Sequence, residues 1–178
     1  MSPRSKFKKK NFHATQKKRC AVRSFRLSVA CSRWQTRAVM TSKVRVAVFG
    51  VGSLGKEHAR IYSELAAAGQ VEFTGVYDVS TETAKKFAEK YRVRAFASTV
   101  EGAAAADAVN IVTPTVTHHE IAKALLAQGK HVLVEKPMTD SSEQAAELVQ
   151  LALQKNCVLQ VGHVERFNPI FKYLQTAG

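Results

Sequence analysis

The sequence predicts an α/β protein: a doubly wound parallel Rossmann sheet with helices on both faces. Three observations carry this. From Val44 onward, short β-branched runs alternate with longer stretches of helical periodicity. A Gly-x-Gly-x-x-Gly turn, Gly50, Gly52 and Gly55, stands between the first run and the first helix. Later runs end in turn residues that carry chemistry, and loops at the carboxyl ends of parallel strands converge on a ligand crevice.

Taken in order, the strands are "VRVAVFG", "VEFTGVYD", the short "RAF", "AVNIVTP", "HVLVEKP" and "CVLQVGH". Their β-branched and aromatic content suits a buried sheet. Helices are expected over 54–68, 81–91, 99–105, 117–128 and 141–155. Ser80 and either Asp140 or Ser141 are placed as N-caps, and Gly129 as a C-terminal stop. Right-handed crossovers then stack helices on both faces.

Charge divides the chain. Of the 27 Lys and Arg, 13 fall in residues 1–43, which hold no acid; the other 14 are balanced by all 14 Asp and Glu of residues 44–178. Residues 1–42 therefore read as a basic leader without a core-forming pattern. Three readings of it stand: a transit peptide, a basic arm for phosphate backbones, or translation assigned from upstream of Met40. The neutral body argues against nucleic acid as a partner. No run of apolar residues is long enough to cross a membrane. Cys20 and Cys31 lie in the leader and Cys157 alone in the body, so no disulfide framework is expected and a cytoplasmic setting fits, an organelle only if the leader is a transit peptide. No metal-ligand spacing occurs, and the adjacent His118 and His119 diverge on a helix.

The glycine turn, with Ser53 and Leu54 inside it, would set backbone N–H groups and a helix N-terminus against a pyrophosphate. A plain strand-to-helix turn is the alternative. Asp78 closes the second strand, where a carboxylate accepts from the adenosine ribose hydroxyls and repels a 2′-phosphate, favouring NAD over NADP. It could instead cap the next helix. Thr113 and Pro114 end another strand, and His118 beyond them faces either the cofactor and substrate or solvent. Glu135, Lys136 and Pro137 end the next. All these turns share one edge of the sheet. Lys136 then stands beside the nicotinamide end, able to hold or deprotonate a substrate hydroxyl; a surface pair with Glu135 is the alternative.

"GVGSLGKEH", "TPTVTH", "EKP" at 135–137 and "GHVERFNP" at 162–169 together resemble the Gfo/Idh/MocA oxidoreductases, over residues 43–178. The resemblance implies an NAD-binding Rossmann domain over 43–165 and, at 166–178, the start of a second α/β domain that is missing or truncated. It matches Lys136 to the family's active-site lysine and Pro137 to a proline whose preceding bond is often cis. It also points to a nucleotide-sugar subgroup that includes UDP-N-acetylglucosamine 3-dehydrogenases, with His163, Arg166 and Asn168 on the substrate side, unless Arg166 only bridges the domains. A homo-oligomer is implied for the complete protein. The family's downstream Asp-x-x-x-His element has no counterpart, so the chain is expected to be a fragment, inactive alone. A non-catalytic dinucleotide-binding module or regulator is the second reading.

Overall fold

The computed structural model describes residues 42–177. The expectations placed on the basic leader, Cys20 and Cys31 lie outside the described residues. Six strands form one sheet: β1 (Val44–Phe49), β2 (Val71–Tyr77), β3 (Arg94–Ala95), β4 (Ala108–Ile111), β5 (His131–Val134) and β6 (Leu159–Val161). Their order is β3-β2-β1-β4-β5-β6, and every pair is parallel. The order reverses between β1 and β4, which opens the crevice of a doubly wound sheet at their carboxyl ends.

The helices are α1 (Gly55–Ala67), α2 (Thr81–Tyr91), α3 (Thr99–Ala105), α4 (His118–Ala127), α5 (Ser142–Lys155) and α6 (Pro169–Ala177). Two apolar clusters lie on opposite faces of the sheet. Because successive side chains of a strand alternate faces, Val48 of β1 packs with Phe73, Val76, Ala59 of α1 and Ala88 of α2, while Phe49 joins Ile111, Leu126 of α4 and Leu148 of α5. Covering both faces explains why Val46 through Phe49 are all buried. Ser80 caps α2 by accepting from the Thr83 N–H, and Ser141, not Asp140, caps α5. Gly129 adopts φ +75° just past α4.

The strands are shorter than the sequence runs, and for one reason. Gly50, Asp78, Thr113 and Glu135 leave the ladder at the carboxyl edge to line the crevice, so the runs combined a strand with its functional turn. A 3₁₀ turn, Thr115–Thr117, precedes α4, so the α-helix begins at His118, one residue after the expected start. Among the described residues no helix is long and apolar enough to cross a membrane.

Candidate active site

The crevice is a cleft of roughly 860 Å3 running from Asp78 at one end, over the glycine turn and the Thr113-Pro114 turn, to Glu135 and Lys136. The structure thus brings together the predicted residues from the turns after β1, β2, β4 and β5.

The glycine turn has its shape for steric reasons. Gly50 has φ +85°, in the left-handed region that favours glycine, and a Cβ there would stand 2.6 Å from the Val112 carbonyl oxygen. At Gly55 a Cβ would run into the Gly50 carbonyl, so the helix packs directly on the turn. Gly52 faces open space, with nothing within 4 Å of a Cβ position. Leu54 supplies no side-chain cap to α1. Among the described residues the N–H groups of Ser53, Leu54 and Gly55 meet no protein acceptor. Uncapped donors at a helix N-terminus beside open space form a cradle for an anion.

Asp78 is half-buried at the rim. Its Oδ2 accepts from the Val51 N–H at 2.9 Å and its Oδ1 from the Ser80 N–H at 2.9 Å. It therefore ties the β2 turn to the glycine turn, and the cap of α2 is Ser80 instead.

Thr113 and Thr117 join through their hydroxyls at 2.7 Å. His118 does not face solvent: it is 1% exposed, with Nδ1 2.9 Å from the Pro137 carbonyl oxygen and Nε2 2.8 Å from that of Thr113. It lines the cleft as a bridge between the two turns. His119 points elsewhere, 2.7 Å from Glu147 on α5. Glu147 is also bound by Lys123, and these two donors hold its carboxyl below the usual range.

Lys136 is exposed, and the Lys136–Pro137 bond is cis. The surface pair with Glu135 does not form. Glu135 is 6% exposed and turns inward, its Oε1 3.2 Å from His58 Nε2. Among the described residues no carboxylate lies within 4.0 Å of Lys136 Nζ.

Beyond Lys136 lies a second hollow, shared with His163, Glu165, Arg166 and Phe171. His163 and Arg166 are exposed there. Asn168 lies outside its lining: its Nδ2 donates to Glu165 and its Oδ1 accepts from the Ile170 N–H at 3.1 Å, at the start of α6. Sequence reasoning missed His58 and Asn110. The signals were present: a histidine one turn into the helix that follows the glycines, and an amide inside the apolar strand "AVNI".

Residues 44–163 match the GFO_IDH_MocA model, described as an oxidoreductase family with an NAD-binding Rossmann fold. The chain belongs to the Gfo/Idh/MocA family. It is 40% identical over 135 residues to the UDP-N-acetylglucosamine 3-dehydrogenase of Acidithiobacillus ferrooxidans, covering 76% of this chain and 42% of that one. The crystal structure of that dehydrogenase superposes with a TM-score of 0.70 over 76% of this chain and 44% of its own. A protein from gentamicin A biosynthesis, solved in complex with NAD, is 31% identical with a TM-score of 0.64, over 70% of this chain and 36% of its own. The scyllo-inositol 2-dehydrogenase (NADP(+)) of Bacillus subtilis is 33% identical over 135 residues, 74% of this chain and 40% of that one. The chain thus spans less than half the length of these Gfo/Idh/MocA relatives, and what it shares with them is the NAD-binding Rossmann domain.

Proposed function

We propose that these residues are the cofactor-binding part of an NAD-dependent dehydrogenase that oxidises a sugar hydroxyl, with a nucleotide sugar such as UDP-N-acetylglucosamine as substrate. The observation that carries the reading is the position of Lys136: a lysine with no carboxylate partner among the described residues, on the wall common to the dinucleotide cleft and the second hollow. The similarity to UDP-N-acetylglucosamine 3-dehydrogenase supports the choice of sugar.

The residues fit a dinucleotide. The open space at Gly52 and the uncapped N–H groups of residues 53–55 suit its pyrophosphate. Asp78 suits the adenosine ribose, where its charge disfavours a 2′-phosphate; this carboxylate, and not family membership, is the ground for NAD over NADP. Thr113, Pro114 and His118 shape the wall between the two turns. When bound, the nicotinamide supplies the hydride acceptor. Lys136 would hold the substrate hydroxyl and, as the free amine, take its proton at Nζ. Arg166 and His163 would face the acidic part of the substrate.

Binding measurements test this in stages. NADH should bind saturably, and NADPH at least about tenfold more weakly, a difference of about 1.4 kcal/mol. UDP-N-acetylglucosamine should bind the NADH complex, and Lys136→Ala should weaken the sugar while leaving NADH in place. Binding of NADH with no response to the sugar would leave the cofactor reading and remove the nucleotide-sugar one.

A further inference from the structure

We propose that His58 is a positioning residue for Lys136: it captures the Glu135 carboxylate in the interior, so that the neighbouring lysine is left without a carboxylate partner among the described residues. This rests on reading Lys136 as the group that meets the substrate.

Glu135 is the one carboxylate among the described residues that is buried. Isolated burial of a carboxylate is costly, so it must be compensated by partners. Two groups reach it. His58 Nε2 lies 3.2 Å from Oε1, within ion-pair distance, and the backbone N–H of Lys136 donates to Oε2 at 3.1 Å. Behind the imidazole, Asn110 Nδ2 donates to His58 Nδ1 at 2.6 Å, and Asn110 itself is fully buried on β4. On another side Gly162 leaves room, since a Cβ there would lie 2.5 Å from Oε1. Residues from β4, α1, the β5 turn and the β6 turn thus converge on one carboxylate.

The consequence falls on Lys136. A glutamate next in sequence to an exposed lysine is its obvious ion-pair partner, yet Nζ has no carboxylate within 4.0 Å among the described residues. Glu135 meets the backbone of Lys136 and not its ammonium. The chain Asn110–His58–Glu135 fixes the lysine's turn from inside while withholding the charge that would quench it. Without His58 the carboxylate loses its only side-chain partner among the described residues, and Lys136, next in sequence, is a cation that can replace it.

Reductive methylation with 13C-formaldehyde turns each lysine into an NMR probe, and the Lys136 signal is the one lost in Lys136→Arg. Measured without nucleotide, Glu135→Gln should leave that signal in place, because no ion pair is broken. His58→Ala should shift it, and His58→Ala/Glu135→Gln should return it. His58→Gln, which keeps an N–H donor, should stay close to the parent. A signal that moves on Glu135→Gln alone, stays put in His58→Ala, or fails to return in the double variant overturns the proposal. Should His58→Ala not fold, the Glu135→Gln and His58→Gln measurements still decide it. Because no cofactor is present, a failure here is separate from a failure of NADH to bind.

Discussion

The two edges of the sheet are built from the same strands and serve opposite ends. At the amino edge polar groups are paired off. Arg45 clasps Asp107 through Nη2 at 2.6 Å and Nε at 3.1 Å, the Asp107 N–H donates to the Arg45 carbonyl, and Lys130 Nζ donates to the Ala106 carbonyl at 2.8 Å. At the carboxyl edge, among the described residues, the N–H groups of residues 53–55 meet no protein acceptor and Lys136 no carboxylate, around an open cleft. An edge that has used its hydrogen-bonding capacity holds the fold; one that keeps it in reserve can bind. Stability and function therefore separate by edge, and substitutions should reveal it.

The largest effect should come from Gly50→Ala, which touches both. A left-handed alanine costs about 1–2 kcal/mol before any clash, and the added methyl presses on the Val112 carbonyl. Calorimetry should show a lower melting temperature and NADH titration a loss of binding. Asp78→Ala comes next. It removes the acceptor shared by the Val51 and Ser80 N–H groups, and NADH affinity should fall about tenfold or more, while discrimination against NADPH shrinks.

Asp107→Asn should separate the edges the other way, lowering stability modestly and leaving NADH affinity unchanged. Its pH dependence has a definite sign. The hydrogen-bonded Arg45 guanidinium holds the Asp107 carboxyl below its usual value. The stabilisation is therefore present above the ordinary carboxylate range near about 4 and is lost as pH falls through the depressed value. Partial exposure screens the pair and keeps the effect small. In urea titrations, parent and variant should converge at the acid end of the range. The smallest stability effect is expected for Lys136→Ala, within about 0.5 kcal/mol by thermal denaturation, because its exposed side chain makes no ion pair among the described residues.

Most of the architecture was legible because it rests on local signals. The serine caps at Ser80 and Ser141 and the glycine stop at Gly129 are readable one turn at a time. The convergence of Gly50, Asp78, Thr113 and Lys136 followed from parallel order alone. What the sequence concealed depends on long-range partners. Nothing near His118 announces that its ring lies between the carbonyls of Thr113 and Pro137. A surface pair of Glu135 with Lys136 stays open as an alternative until His58, far away along the chain, takes the carboxylate inward. Asn168 resembles a ligand-binding amide, yet its polar atoms are engaged at the start of α6.

Whether the carboxyl edge holds a dinucleotide can be read most directly by amide NMR of the full chain titrated with NADH. Saturable shifts should concentrate at Gly52, Ser53, Leu54 and Gly55 and extend to Asp78 at one end and Lys136 at the other, with the amino edge around Arg45 and Asp107 unmoved. Saturable shifts centred on the amino edge, or no saturable binding by a folded protein, would contradict a dinucleotide site at the carboxyl edge.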